Sequence, residues 1–301
     1  MSEPPDSTID LHEVESAIAA AICGGGINSL RLLGHGEVSI VLAWPQASPT
    51  VALKRVPPFR NEVDADHYIS VCHGFFDTLR AADVAVWPTE LLTLVRADGR
   101  AVVYHRQPIA DTSQLGSNVL RAAYPAASHP LLDAIVDAAG QVCGPTVGFD
   151  VQLANWLWDG STATQLDFTS PFVLTPNRKD MTYDAHAFLQ EYPLVLRPYL
   201  KRELTTIIRR YTTAEGALAD MVSNMLKEGL GDWVDPAIAT INQRLGTSLQ
   251  RQAAQAMLDE DRKFMPMVLR LKKSQRWWLH HTGRHYEALL PDETTYDRAR
   301  P

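Results

Sequence analysis

The stretch Val147–Phe172, VGFDVQLANWLWDGSTATQLDFTSPF, constrains this chain more than any other. Trp156–Trp158 reads as a short buried strand, Asp159-Gly160 as a tight turn, and Thr162–Leu166 as the returning strand. Such a hairpin carries Asp167-Phe168-Thr169 back beside Asn155, which follows Asp150 in a D-x-x-x-x-N arrangement. Two carboxylates and a side-chain amide are thereby drawn together. Phosphoryl transfer to a hydroxyl needs a set of this kind. One carboxylate orients the acceptor and takes its proton, while an amide and a second carboxylate hold Mg²⁺ on the phosphates. Two turn residues and an N-cap aspartate would give the same spacing, so the rest of the chain has to decide.

A second stretch bears on the choice. Strand-like runs Ser29–Leu33 and Ser39–Trp44 flank Gly34-His35-Gly36-Glu37-Val38, giving G-x-G-x-x-S-x-V through Gly34, Gly36, Ser39 and Val41. Glycines there let backbone approach a phosphate, and small Ser39 keeps the tip open. Because a strand follows rather than a helix, a dinucleotide-binding βαβ unit is not expected. A third strand, Thr50–Val56, carries Lys54 near its end, within reach of phosphates or, alternatively, facing solvent from a sheet edge. Asn61–Ala82 has Tyr68, Cys72, Phe75, Phe76 and Leu79 at helical spacing. Glu62 and Asp66 share another face of that helix, and either can pair with Lys54 or simply complement the helix dipole.

Val84–Val95 and Ala101–Ile109 read as two further strands around Asp98-Gly99. Beyond them the pattern turns helical: His129–Cys143, Tyr183–Glu191, Leu194–Tyr211, Glu215–Glu228, Pro236–Leu245 and Ser248 onward. Asp235-Pro236 and Gly246 mark the ends of the fifth of these, and Leu196, Leu200, Leu204, Ile207 and Tyr211 form a core stripe. Before the strands, Asp10–Ile22 is an amphipathic helix with Leu11, Val14, Ile18 and Ile22 on one side.

In that order, the glycine loop, the Val51-Ala52-Leu53-Lys54 strand, a helix with Glu62, strands ending near Gln107, Asp150…Asn155 and Asp167-Phe168-Thr169 resemble the protein-kinase-like superfamily. The chain is more similar to its aminoglycoside phosphotransferase and small-molecule kinase branch, since only twelve residues separate Asn155 from Asp167 and no A-P-E segment follows. The motifs cover roughly residues 28–172.

The resemblance implies an α+β, two-lobed kinase-like fold: an extension and helix over 1–27, a nucleotide-binding β-rich lobe over 28–106, and a helical lobe over 107–301. It implies ATP and Mg²⁺ as cofactors and a small-molecule hydroxyl as acceptor. Gly34, Gly36 and Ser39 would cover the phosphates, Val41 and Ala52 line the adenine pocket, and Lys54, braced by Glu62, hold the α- and β-phosphates. The Arg106–Ile109 segment, with Gln107 and Ile109, would be the hinge. Asp150 would be the catalytic carboxylate, with Asn155 and Asp167 as metal ligands. The chain departs from the pattern at Gly148-Phe149, where a His two residues before the aspartate is usual, at Thr169, and in the eight residues between Lys54 and Glu62. The first departure supports an alternative, a nucleotide-binding pseudokinase serving as a regulatory or scaffolding module.

Charge narrows the partners. A net −7 offers no broad attraction to nucleic acid or anionic membrane. No apolar run approaches the roughly 20 residues that span a bilayer. The acidic start MSEPPDSTID carries no secretory signal, and Cys23, Cys72 and Cys143 have no metal-ligand spacing, so the expected compartment is the reducing cytoplasm. Arg262–His285 stands apart, with seven Lys/Arg, no acids and the pair Trp277-Trp278. It is expected to be a solvated helix face with its tryptophans in the core, the other reading being a surface that binds an anionic substrate, nucleic acid or a protein partner. His281 and His285 are expected to be surface histidines rather than a metal pair.

Overall fold

The computed structural model describes residues 9–22, 29–35, 39–177, 180–184, 186–190 and 192–282. Strands buried on both faces build the centre of its main sheet. Strands β1 (Leu32–His35), β2 (Ile40–Trp44), β3 (Val51–Arg55), β5 (Glu90–Val95) and β6 (Ala101–Pro108) pair antiparallel in the order β1-β2-β3-β6-β5. Ile40, Leu42, Trp44, Val51, Leu53, Val102 and Tyr104 share a core with Val14 and Ile18 of helix α1 (Leu11–Ala20). Asp10 caps α1 by accepting the His12 N–H at 2.8 Å. From α1, Glu15 forms a two-pronged ion pair with Arg55, at 2.6 and 3.2 Å, and accepts the Tyr104 hydroxyl. Burial works to raise the Glu15 carboxyl, but Arg55 outweighs it and holds the group below the usual range.

Alternate residues on the other side meet α2 (Glu62–Ala81), whose start is capped by Asn61 accepting the Asp64 N–H. Ala101, Val103 and Val56 pack there with Tyr68, Cys72, Phe75, Phe76 and Leu79. The same core continues into the helices that follow: α3 (Gly116–Ala122), α4 (Pro130–Val142), α7 (Ala214–Lys227) and α8 (Gly231–Leu245). Short α5 (His186–Leu189), α6 (Arg197–Tyr211) and long α9 (Arg251–His281) complete the helical part. The protein is thus α+β, an antiparallel sheet region followed by helices. β6 runs to Pro108, past the expected division after residue 106.

Several elements differ from expectation. The strand read over Val84–Val95 is broken at Pro88, which has no N–H to continue a ladder. Its first piece, β4 (Ala85–Val86), leaves the main sheet and pairs in parallel with β8 (Ala163–Gln165), which pairs with β7 (Trp156–Trp158). The Trp87 N–H donates to the Gln165 carbonyl at 2.8 Å, so the hairpin is tied to the β-rich region. Helix α8 starts at Gly231, five residues before Pro236, which lies inside it. Proline forgoes one backbone bond there, and burial of Trp233 and Val234, with the indole N–H donating to the Leu120 carbonyl at 2.8 Å, offsets that loss. On α6 the inner position is Ile208 rather than Ile207, which is 43% exposed.

The tryptophans of α9 are also outside the core: Trp277 is 63% and Trp278 45% exposed. Helix phase explains it. Lys272 and Gln275 take the inner positions, with the Lys272 ammonium 5.1 Å from the centre of the Tyr192 ring. His281 stacks on Trp277, and its Nδ1 bonds the Trp277 carbonyl at 2.8 Å; His285 lies outside the described residues. Cys72 is buried, Cys143 half-buried, and Cys23 outside the described residues. Among the described residues no helix is long and apolar enough to cross a membrane.

Candidate functional site

β3 is flanked by β2 and β6, so Lys54 stands on an interior strand and is only 8% exposed; a solvent-facing edge position is ruled out. Directly across from it are Val41 on β2 and His105 on β6, while Ala52 faces Ala43 and Gln107. Val41, Ala52, Lys54, His105 and Gln107 therefore share one side of the sheet. The Lys54 ammonium forms an ion pair with Asp167 Oδ2, joining the sheet to the turn after the hairpin.

The brace expected from α2 is absent. Glu62 and Asp66 are both exposed, because the helical phase that buries Ala65, Tyr68 and Cys72 turns them outward. Glu62→Gln and Asp66→Asn are each expected to shift stability by no more than about 0.5 kcal/mol and to leave ligand affinity unchanged, as chemical denaturation and titration calorimetry would show. The inward residue is Tyr68, fully buried, whose hydroxyl donates to the Thr169 carbonyl at 2.8 Å and lies 2.9 Å from His105 Nε2.

The first glycine of the expected loop lies in a strand. Gly34 belongs to β1, opposite Val41, and a Cβ there would meet only ordinary contacts at 3.8 and 3.9 Å. Gly36 lies outside the described residues, whereas Ser39 is buried. The Gln107 side chain is engaged within the protein. Its amide donates to Thr89 Oγ1 and to the Leu166 carbonyl, both at 2.9 Å, pinning the strand before Asp167. Ile109, just past β6, is 38% exposed.

Asp150, Asn155 and Asp167 do converge. Asp150 Oδ1 accepts the Gln152 N–H at 3.2 Å, and the Asn155 side chain bonds the same carboxylate. Leu166 N–H reaches the Asn155 carbonyl at 2.8 Å. Gln165, missed in the sequence because it reads as an ordinary strand residue, is 1% exposed and donates to the carbonyls of both Asp150 (3.3 Å) and Asp167 (3.1 Å). Thr169 gives Asp167 Oδ1 two donors, its N–H at 2.9 Å and its hydroxyl at 2.8 Å. Phe168 packs edge-on against Phe76 at 4.8 Å and Phe149 against Phe75 at 6.2 Å, so α2 touches both loops.

Gly148 has a packing reason. A Cβ there would fall 2.9 Å from that of Phe172 and 3.1 Å from the Tyr211 backbone, leaving no room for a larger side chain. The loop is held instead by backbone: Gly148 N–H to the Phe172 carbonyl at 2.7 Å and Phe149 N–H to that of Tyr211 at 3.0 Å. Behind it, Asp220 accepts from Gln152 Nε2, the Tyr211 hydroxyl and Asn224 Nδ2 at 3.1, 2.8 and 3.0 Å.

The two carboxylates are driven apart electrostatically. Burial raises Asp150, with smaller pushes from Asp167 and Asp220, to about 7, despite the opposing bonds from Gln152 and Asn155. Burial also works to raise Asp167, but the Lys54 ammonium and the Thr169 donors prevail and hold it at about 2. One group is thus poised to exchange a proton near neutrality and the other is a permanent anion. Among the described residues no three His, Cys, Asp or Glu side chains are grouped to hold a metal ion unaided. An ionised carboxylate and an amide oxygen nonetheless suit Mg²⁺, which takes one or two protein ligands and completes its shell with phosphates and water.

Lys54→Met is expected to destabilise the fold by about 3 kcal/mol at pH 7, because it leaves the Asp167 charge without its cation. Adding Asp167→Asn should recover most of that loss, and urea denaturation of the four proteins of the cycle measures the coupling. A groove of about 470 Å³ runs along α6 beside Asp180, Lys201, Arg202 and Arg209; none of the cluster residues lines it.

The chain is therefore an α+β protein whose sheet meets its helical part at a Lys–Asp ion pair, with a second carboxylate of displaced proton affinity nearby. It belongs to a family of unknown function, DUF6206, whose model matches residues 15–276. No curated protein matches it.

Proposed function

We propose that this protein is an ATP- and Mg²⁺-dependent phosphotransferase, with a two-lobed kinase-like fold, that moves the γ-phosphoryl group to a hydroxyl of a small molecule. The observation that carries this assignment is the convergence of Lys54 with Asp150, Asn155 and Asp167, the two carboxylates held at opposite ends of the protonation scale. The side of the sheet bearing Val41 and Ala52 would receive the adenine, with backbone beyond Pro108 meeting its edge. Lys54 would turn to the phosphates. Asp167 and Asn155 would hold Mg²⁺, which when bound spreads the charge of the phosphates. Asp150 would orient the acceptor hydroxyl and take its proton, for which a value near 7 is well matched.

The pseudokinase alternative is motivated by Gly148-Phe149. It is weakened by the retention of all four polar groups and by the backbone bonds that fix the loop without a histidine. Thermal denaturation against ATP, with and without Mg²⁺, separates the two. Stabilisation that requires Mg²⁺ and is lost in Lys54→Met supports the enzyme. Stabilisation indifferent to Mg²⁺, with no transfer to any hydroxylated metabolite, supports the binding module. No stabilisation at all removes both.

A further inference from the structure

We infer that Tyr68 and His105 form a neutral positioning relay for the Lys54–Asp167 pair, occupying the place where a helix carboxylate was expected. Its catalytic consequence rests on the phosphotransferase assignment; its geometry does not. A tyrosine hydroxyl has one proton to give, and the Thr169 carbonyl, at 2.8 Å, can only accept. The Tyr68 proton is therefore spent on Thr169. His105 Nε2, 2.9 Å from the same oxygen, must then be the donor, which fixes the ring as its Nε2–H tautomer. Nδ1 is left carrying a lone pair.

That lone pair is fully buried and, among the described residues, has no hydrogen-bond partner. An unsatisfied buried acceptor is costly and calls for a reason. The register supplies one. His105 lies directly across from Lys54 on the same side of the sheet, at cross-strand neighbour range. The ring also stays uncharged, because burial first and the Lys54 ammonium second push it down to about 3. A neutral ring thus sits on the residue directly across from an ammonium now committed to Asp167. When Lys54 turns toward an anionic ligand, Nδ1 can accept one of its protons and keep the ammonium oriented. At the other end of the relay, Tyr68 fixes the Thr169 carbonyl, and Thr169 in turn fixes Asp167 Oδ1. No α2 carboxylate can take this role, since Glu62 and Asp66 are exposed, Asp64 bonds Arg60 at 3.1 Å, and Asp77, exposed near the far end of the helix, pairs with Arg80 at 2.9 Å.

Two measurements on the whole chain test this. The first is the ¹⁵N–¹H correlation spectrum of the histidine rings at pH 7, with His105 assigned by its loss in His105→Gln. A neutral Nε2–H ring is expected; an Nδ1–H or doubly protonated ring overturns the relay whatever the chain binds. The second is Mg·ATP affinity and turnover in three variants. Tyr68→Phe keeps the ring packed on Phe59 and Tyr183, at 5.0 and 5.3 Å. It is expected to lower kcat on the order of tenfold with KM for ATP little changed. His105→Asn, which retains an acceptor near the Nδ1 position, should bind ATP more tightly than His105→Gln, on the order of tenfold. Unchanged kcat in Tyr68→Phe, or equal affinity in the two His105 variants, overturns the positioning role. A wild type that binds no ATP removes the phosphotransferase assignment instead, and the ring tautomer then decides the relay by itself.

Discussion

Asp167→Ala is expected to lower phosphoryl transfer by about 10³-fold or more, since it deletes the only carboxylate of the cluster that stays ionised at every physiological pH. It should also destabilise the protein by about 3 kcal/mol, because the Lys54 ammonium, 8% exposed, loses its counter-charge. The two losses separate experimentally: Asp167→Asn with Lys54→Met restores stability and not transfer. The pH behaviour has a definite sign. Asp167 is held at about 2, below its ordinary 3.8, so its contribution to stability is present above pH 3.8 and is lost as the pH falls through 2. Acid denaturation of wild type against Asp167→Asn measures that loss, and curves that coincide would mean the ion pair contributes nothing.

Asp150→Asn should behave in the opposite way toward stability while also slowing transfer. Its carboxyl is raised from 3.8 to about 7, so the folded state favours the protonated form. The stabilising effect of that proton is complete below pH 3.8 and is lost as the pH rises through 7. An amide cannot ionise, so at pH 8 Asp150→Asn is expected to be more stable than wild type by roughly 2–4 kcal/mol, from about three pKa units at about 1.4 kcal/mol each. Turnover should fall by about 10²–10⁴-fold, the usual range for removing a general base. In wild type, kcat/KM should climb with pH through an apparent value near 7. A variant that is both more stable and that much slower would mark Asp150, half-buried in the fold, as a residue whose desolvation serves chemistry rather than folding. One that loses stability at pH 8 would contradict this view of the site.

The hairpin was legible because its signals are local. Trp156–Trp158, Asp159-Gly160 and the return strand occur within a dozen residues, and Gly160 adopts the φ of 101° that the turn asks of it. The core faces of α1 and α2 followed from helical period alone. What escaped depends on tertiary register. Glu62 is near Lys54 in sequence, but helical phase turns it outward, and nothing local shows that β6 sets His105 across from Lys54 or that Tyr68 reaches Thr169. Gly34 and Pro236 mislead for a related reason. Each residue type favours a loop or a helix start, yet pairing with Val41 and burial of Trp233 override the preference. Gly148 shows the converse. As a departure from the kinase-like motif it weakens the functional case, whereas in three dimensions it is the only residue that fits between Phe172 and Tyr211.

The most direct measurement is transfer of label from γ-³²P-ATP to a pool of hydroxylated metabolites, with Mg²⁺, by wild type and by Asp150→Asn in parallel. The proposed function requires a labelled product from wild type that depends on Mg²⁺ and falls at least about 10²-fold in the variant. Equal labelling by the two proteins, or none by wild type across the pool while ATP is bound, would contradict it.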